Sequence, residues 1–481
     1  MKRLAKHSAI YGLGIVLNRA GAFLLIPLYT RYLSPAEYGI LELFYAFVNI
    51  AIVFIAAGIS HAALRFYYEY DSLTERNTVI STSVITSFVF SAIMLFVISF
   101  FTDSISSLIF DTKRYGQLLD ITLIIVLITI SQEILYSYLR AREYSLFFIA
   151  INLLDLVLRV IFSCLFLIKY SLGIKGVLWG NLSGLSVSWV AALFLTLGEC
   201  GFRFDSKKLK DMYTYSLPLV FISIWGMVIS YSDRFFLQKY CLLSGVGIYA
   251  LAMRFGTIAS VAFTQPFTMG FGPYRFSIMS DPDAPRIFSK ITTYFLSGIL
   301  FVGLLITYFA ADAIQIMSSS QYAGAAKVVP LIIVGVILGG IYYLVQTGIY
   351  IKKETKRLTI IFVIAAAANV SANFILIPRV GIIGAGLSLI LTNGVIVLLT
   401  HWKSQRFYRI PYERDKIIKL VALAFIFYLM SLVPLSGGLS FAFKVAILFA
   451  YPFILFRMNI LSQEDKRRMQ EVLTYIGRVN R

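Results

Sequence analysis

The sequence predicts an all-α polytopic membrane protein of about fourteen transmembrane helices. Two six-helix lobes, related by a pseudo-two-fold axis along the membrane normal, are followed by two C-terminal helices. Three observations predict this class. The chain is 59% hydrophobic and 14% charged, with a mean hydropathy of +0.81, whereas soluble domains carry about 25% charged residues. Apolar runs long enough to cross a ~30 Å hydrocarbon core, which takes ~20 helical residues, recur from end to end. Short signatures also return at a constant offset of 208 residues: Arg31-Tyr32, Gly39-Ile40 and Gly173-Ile174-x-Gly176 recur as Lys239-Tyr240, Gly247-Ile248 and Gly381-Ile382-x-Gly384.

The apolar runs place the first six spans at 9–30, 36–58, 78–101, 117–139, 146–168 and 174–197. The next six fall at 213–236, 246–268, 290–311, 328–350, 358–377 and 381–401, and the last two at 416–433 and 439–456. Continuous runs of this length exclude a β-barrel, whose strands are short and alternate. The repeat offset crosses six spans, an even number, so both copies keep the same orientation in the membrane. The expected organisation is an N-terminal lobe at 1–198, a cytoplasmic inter-lobe linker at 199–212 and a C-terminal lobe at 213–402. Two additional spans at 403–457 and a basic tail at 458–481 complete it.

The formal net charge of +19 is a topology signal rather than a mark of nucleic-acid binding. Of 43 lysines and arginines, thirty lie in one alternating set of loops and termini, nine in the opposite set and four inside spans. By the positive-inside rule both termini of the multi-pass chain are cytoplasmic, and anionic lipids partner the basic loops. Cys164, Cys200 and Cys241 fall at different depths, so no disulfide is expected. No GxxxxGK[ST] loop, HExxH or paired CxxC is present, which argues against direct ATP use, a metal or another cofactor. No loop is long enough for a folded catalytic domain, and the chain does not read as an enzyme.

Charges within spans are the expensive residues, each costing at least ~2.5–3.5 kcal/mol near a span centre on insertion scales. Arg19 sits about 15 Å from the inner end of its span by helical rise, and Arg159 lies at similar depth. Arg254 is about two turns inside span eight. These three are the candidate cavity cations for an anionic substrate. Glu42, Glu133 and Asp155 are candidate ion-coupling carboxylates. Asp155 and Arg159, at i,i+4 spacing, can also neutralise one another, and Arg19 can find a carboxylate on another helix, such as Asp155 or Glu42. Arg65, Asp233 and Arg234 are gating or structural candidates, with Arg234 close enough to a span end to snorkel.

At these positions the chain resembles the multidrug/oligosaccharidyl-lipid/polysaccharide exporter superfamily, in its bacterial polysaccharide (O-antigen-type) flippase branch. The resemblance rests on Tyr32-Leu-Ser-Pro-Ala-Glu-Tyr-Gly39, Arg65-Phe-Tyr-Tyr-Glu-Tyr70 and Ser232-Asp-Arg-Phe-Phe-Leu237. It extends to Asn373-Phe-Ile-Leu-Ile-Pro-Arg-Val-Gly-Ile-Ile-Gly-Ala-Gly386. It implies alternating-access export of undecaprenyl-pyrophosphate-linked oligosaccharide, for surface polysaccharide such as lipopolysaccharide O-antigen or exopolysaccharide. With no ATP motif, an ion gradient, the membrane potential or the substrate gradient would drive it. H+ or Na+ is the candidate coupling ion, and a polysaccharide polymerase is a candidate partner. The resemblance further implies a cationic central cavity, which Arg19, Arg159 and Arg254 fit by depth, and a lipid-tail groove at the last two helices. A multidrug or cation antiporter of the same superfamily, and a membrane-embedded polymerase or ligase of the same pathway, are the alternatives. The first calls for an acidic, aromatic cavity and the second for a large outer loop.

Overall fold

The computed structural model describes residue 21, residues 23–433 and residues 437–458, and every regular element among them is helical. In chain order these are α1 over 23–32, α2 Pro35–Ala56, α3 Ile59–Tyr67, α4 Leu73–Ser99, α5 Thr102–Phe110 and α6 Gly116–Ala141. Then come α7 Ser145–Cys164, α8 Gly173–Cys200, α9 Ser206–Ala259, α10 Gln265–Ser277 and α11 Ala284–Met317. The chain continues through α12 Ala325–Val345, α13 Thr347–Ile351, α14 Lys356–Val380, α15 Ile382–Phe407, α16 Arg414–Ser431 and α17 Gly437–Arg457.

Eleven stretches among the described residues are long and apolar enough to cross a membrane. One of them, 223–277, contains two predicted spans, because helical geometry breaks inside α9 at Leu242 (φ 62°, ψ 173°). Span one reaches the described residues only at its end. Span thirteen is α16, which opens on Arg414, Asp415, Lys416 and Lys419 and is too charged there to stand out as apolar. Most helix ends fall within three residues of the predicted span ends, while others, such as those of α4, α11 and α15, run more than a turn past theirs.

Local chemistry sets several helix ends. Ser34 caps α2 in a capping box: its Oγ accepts from the Glu37 amide at 3.3 Å, and its own amide donates to Glu37 Oε2 at 2.8 Å. Pro35 takes the first helical position, where its missing N–H costs nothing. Gly173 and Gly381, related by the 208-residue offset, open α8 and α15 with φ of +56° and +61°. A side chain there would be strained, so this part of the repeat has a backbone cause. Leu242 has a backbone conformation that glycine tolerates and leucine does not, and its side chain is exposed. We expect Leu242→Gly to raise the stability of the solubilised protein by about 1 kcal/mol, read as a higher unfolding temperature. An unchanged or lower temperature would show that the turn is unstrained.

The chain packs as two compact units. The first holds the described residues of Met1–Arg254, Ile314–Val328 and Phe362–Ser388, the second those of Phe255–Ala313, Val329–Ile361 and Leu389–Arg481. In the first unit, Ile59, Ala63, Ile80, Ile134, Leu135 and Phe148 belong to a core that joins α3, α4, α6 and α7. The segment after α8 is fastened to α4: the Arg203 amide donates to Ser81 Oγ at 2.8 Å and the Asp205 amide to Thr82 Oγ1 at 3.0 Å. Asp205 then caps α9 by accepting from the Lys207 and Lys208 amides. In the second unit, α11 seats the last two helices through Tyr308 O–H to the Phe427 carbonyl at 2.6 Å and Lys444 to Asp312 at 2.8 Å.

Candidate functional site

The polar residues of α2 recur as Tyr38, Glu42, Tyr45 and Asn49, a helical spacing that puts them on one face of an otherwise apolar span. That face meets the second limb of α9, beyond Leu242, and the helices α6, α7 and α8. Glu42 forms an ion pair with Arg254, whose Nε also donates to the Tyr38 hydroxyl at 3.3 Å. Lower on the face, Asn181 of α8 donates to the Tyr45 hydroxyl at 2.8 Å.

Two cavities lie along this face. The first, of 430 Å³, is enclosed by α2, α6, α7 and α8 and lined by Tyr45, Gln132, Tyr136, Asn152, Arg159 and Asn181, among others. The second, of 360 Å³, runs from α2 to the start of α3 and the first limb of α9, and is lined by His61, Ser223, Ser230 and Tyr231. Asn49, Ile52 and Glu133 line both. Glu133 therefore stands between two polar spaces, and among the described residues its carboxylate makes no hydrogen bond or salt bridge.

Arg159 lines the first cavity and is ion-paired with Asp155 one turn away on α7. Tyr29 on α1, whose hydroxyl is 3.5 Å from that of Ser163, lies within electrostatic reach of both Arg159 and Arg254. Arg19 lies outside the described residues. The carboxylates anticipated as its partners are each held by another arginine, Asp155 by Arg159 and Glu42 by Arg254. The described cations of the site are thus neutralised, and an arginine-rich cavity no longer separates an exporter of anions from one of cations. Its uncharged polar groups are amide, phenol and hydroxyl, set among apolar side chains such as Phe44, Val48, Ile125 and Leu185.

The gating candidates sit elsewhere. Arg65 of α3 packs its guanidinium over the Tyr215 ring at 4.3 Å, tying α3 to the first limb of α9. Arg234 does not snorkel: it is buried, bonded to Asp233 at 2.8 Å and donating to the Ser230 carbonyl at 2.6 Å. Burial of both partners favours neutralisation in place over a long reach to water. Beside them, Ser232 donates to Asn369 of α14 at 2.6 Å.

Near the start of α2, the duplicated glycines meet. A Cβ on Gly39 would collide with the Leu243 carbonyl, and one on Gly247 with the Pro35 carbonyl. The two copies of the motif pack backbone against backbone, reciprocally. Tyr45, Asn49, Gln132 and Tyr136 went unremarked in the sequence, and Asn181 stood out there only as a discounted glycosylation pattern, Asn181-Leu-Ser. Their signal was the periodic polar stripe along spans two, four and six, which a search for charges alone passes over.

Membrane-length helices with cavities between them also make up the solved structures that this chain resembles. The fold is that of the lipid II flippase MurJ in an inward closed conformation, at a TM-score of 0.77 and 15% identity, over 94% of this chain and 100% of that one. It also matches an inward-facing multidrug resistance MATE family transporter of the MOP superfamily, at a TM-score of 0.62 and 15% identity, over 86% and 99%. In sequence, the chain is 22% identical over 405 residues to protein 1 of the Lsg locus of Haemophilus influenzae, covering 80% of this chain and 95% of that protein. Residues 4–279 match the model of the polysaccharide biosynthesis protein family, and the chain belongs to that family.

Proposed function

We propose that the protein moves a lipid-linked oligosaccharide, carried on undecaprenyl pyrophosphate, from the inner to the outer leaflet of the cytoplasmic membrane by alternating access. Both termini lie in the cytoplasm in this reading, the duplicated six-helix lobes rock about the site, and a polysaccharide polymerase extends the exported product. The observation that carries it is the pair of amide- and tyrosine-lined cavities along α2 in a chain of the polysaccharide biosynthesis family. Neutral donors and acceptors beside aromatic rings suit sugar hydroxyls, while Arg19 and Arg159 serve the pyrophosphate or acidic sugars. Glu133 is the coupling carboxylate best placed to exchange a proton or bind sodium, since Glu42 and Asp155 are engaged by arginines.

Deletion of the gene should accumulate a lipid-linked oligosaccharide on the inner leaflet, and re-expression of the intact chain should clear it. Arg19→Ala should cut export at least about tenfold, the factor set by ~1.4 kcal/mol, at unchanged protein level. Arg159→Ala should cut it as far per folded molecule, with some loss of protein because Asp155 is left buried without its cation. The corresponding lysine variants should keep part of it, because a point charge survives and the bidentate fork does not. If no lipid-linked sugar accumulates, the reading fails. The neutralised ion pairs favour a second reading, export of an organic cation, which instead predicts that deletion sensitises cells to cationic drugs without any change in surface polysaccharide.

A further inference from the structure

The second unit holds a cavity that the transport reading does not use. It has a volume of 960 Å³ and lies among α11, α12, α15 and α16. Its wall is apolar, with Leu296, Ile341, Val345, Val397 and Ile417. Its mouth carries Arg406, Arg409 and Arg414, and no carboxylate is among the residues that line it. Of the two acids flanking Arg414, Glu413 is taken by Lys416 at 2.8 Å and by the Thr293 hydroxyl at 2.7 Å, and Asp415 forms no ion pair with the three arginines among the described residues.

The mouth is built rather than loose. Arg406 stacks on Trp402, 4.0 Å from the ring centre. Gln405 clamps the turn at Ile410 from both sides, donating to its carbonyl at 2.8 Å and accepting from its amide at 3.1 Å. Ser289 of α11 donates to the Pro411 carbonyl at 2.7 Å. Leu398 of the lining, with Ile418, Val421 and Phe425 of α16, is exposed, so the cavity opens onto an apolar surface of bilayer-facing character.

We propose that this cavity binds one anionic glycerophospholipid of the surrounding bilayer, with the headgroup phosphate among Arg406, Arg409 and Arg414 and an acyl chain along the apolar wall. Three guanidinium groups with no ion pair among the described residues favour an anion, and their planar forks match phosphate oxygens. A free phosphate would leave the apolar wall without a partner, whereas a lipid satisfies both halves at once. A zwitterionic lipid would bring its own cation to the arginines. Basic pockets between transmembrane helices are known to favour anionic headgroups.

The test uses the full-length protein in nanodiscs of phosphatidylcholine containing a minor fraction of phosphatidylglycerol, followed by native mass spectrometry of the lipids retained. The wild type should retain phosphatidylglycerol in preference to phosphatidylcholine. Each arginine changed to alanine should weaken retention about fivefold, the factor one cation near a membrane surface contributes. R406A/R409A/R414A should abolish the preference. The triple lysine variant should restore most of it, which separates lost charge from lost fold. Equal retention by wild type and the triple-alanine variant overturns the proposal. So does undecaprenyl pyrophosphate displacing phosphatidylglycerol from this site at equal concentration, which would make the cavity a substrate site.

Discussion

Arg254→Ala is expected to be among the most damaging single substitutions in the chain, because it leaves the Glu42 carboxylate buried without its cation. Glu42's side chain is 7% exposed and Arg254's 36%, which places the loss at the lower end of the range for broken buried pairs, about 3 kcal/mol. Replacing the pair together, Glu42→Leu with Arg254→Met, removes both charges and should recover most of that stability. Transport should not return with it. Arg254 joins the second limb of α9 to Glu42 and Tyr38 of α2, and the proposed rocking mechanism needs a contact there that can break and re-form. Unfolding temperature and export would be measured side by side. Wild-type export by the double variant would reduce the pair to a structural contact.

The second large effect is expected at the touching glycines. Gly39→Leu or Gly247→Leu forces a side chain into a neighbouring carbonyl, and overpacking of this kind costs about 1–3 kcal/mol. Since the clash exists only where α2 and the second limb of α9 are together, the cost falls on the closed arrangement. Export should drop at least about tenfold, which corresponds to ~1.4 kcal/mol, while the protein still inserts and folds. In a chain freed of Cys164, Cys200 and Cys241, a cysteine pair placed near Gly39 and Gly247, with both glycines kept because even a Cβ collides there, should cross-link under oxidation and stop export until reduced. Undiminished export with the bridge formed would show that these helix ends do not separate during transport.

The glycines show how far the sequence reaches. Gly39 and Gly247 were visible as members of a repeat, and Gly173 and Gly381 with them, but a repeat states equivalence, not contact. That Gly39 and Gly247 face each other is decided by the packing of two helices more than two hundred residues apart. The charges behave likewise. Arg159 with Asp155 was legible, since i,i+4 spacing on one helix makes neighbours whatever surrounds it. Arg254 with Glu42 was not, because nothing in the local pattern of either span names the other. Arg234 was misjudged for the same reason: nearness to a span end suggested the interface, and only the fold shows it buried against Asp233.

By itself the sequence determined the all-helical membrane class, most of the spans and the repeated motifs. These follow from terms that act locally: the cost of exposing backbone groups to hydrocarbon, the ~20 residues needed to span it and the charge bias of the loops. It also held the polar stripe of α2, legible to anyone counting every third and fourth residue. Only the tertiary structure decided which arginine meets which carboxylate, that Glu133 stands between two cavities, and that three arginines close the mouth of an apolar one. Those outcomes depend on which helix faces lie together, and in a bilayer a uniformly apolar surface carries little information about its neighbour. Small residues and scattered polar groups choose the partners there, and the choice is made by geometry across the whole bundle rather than by any one segment.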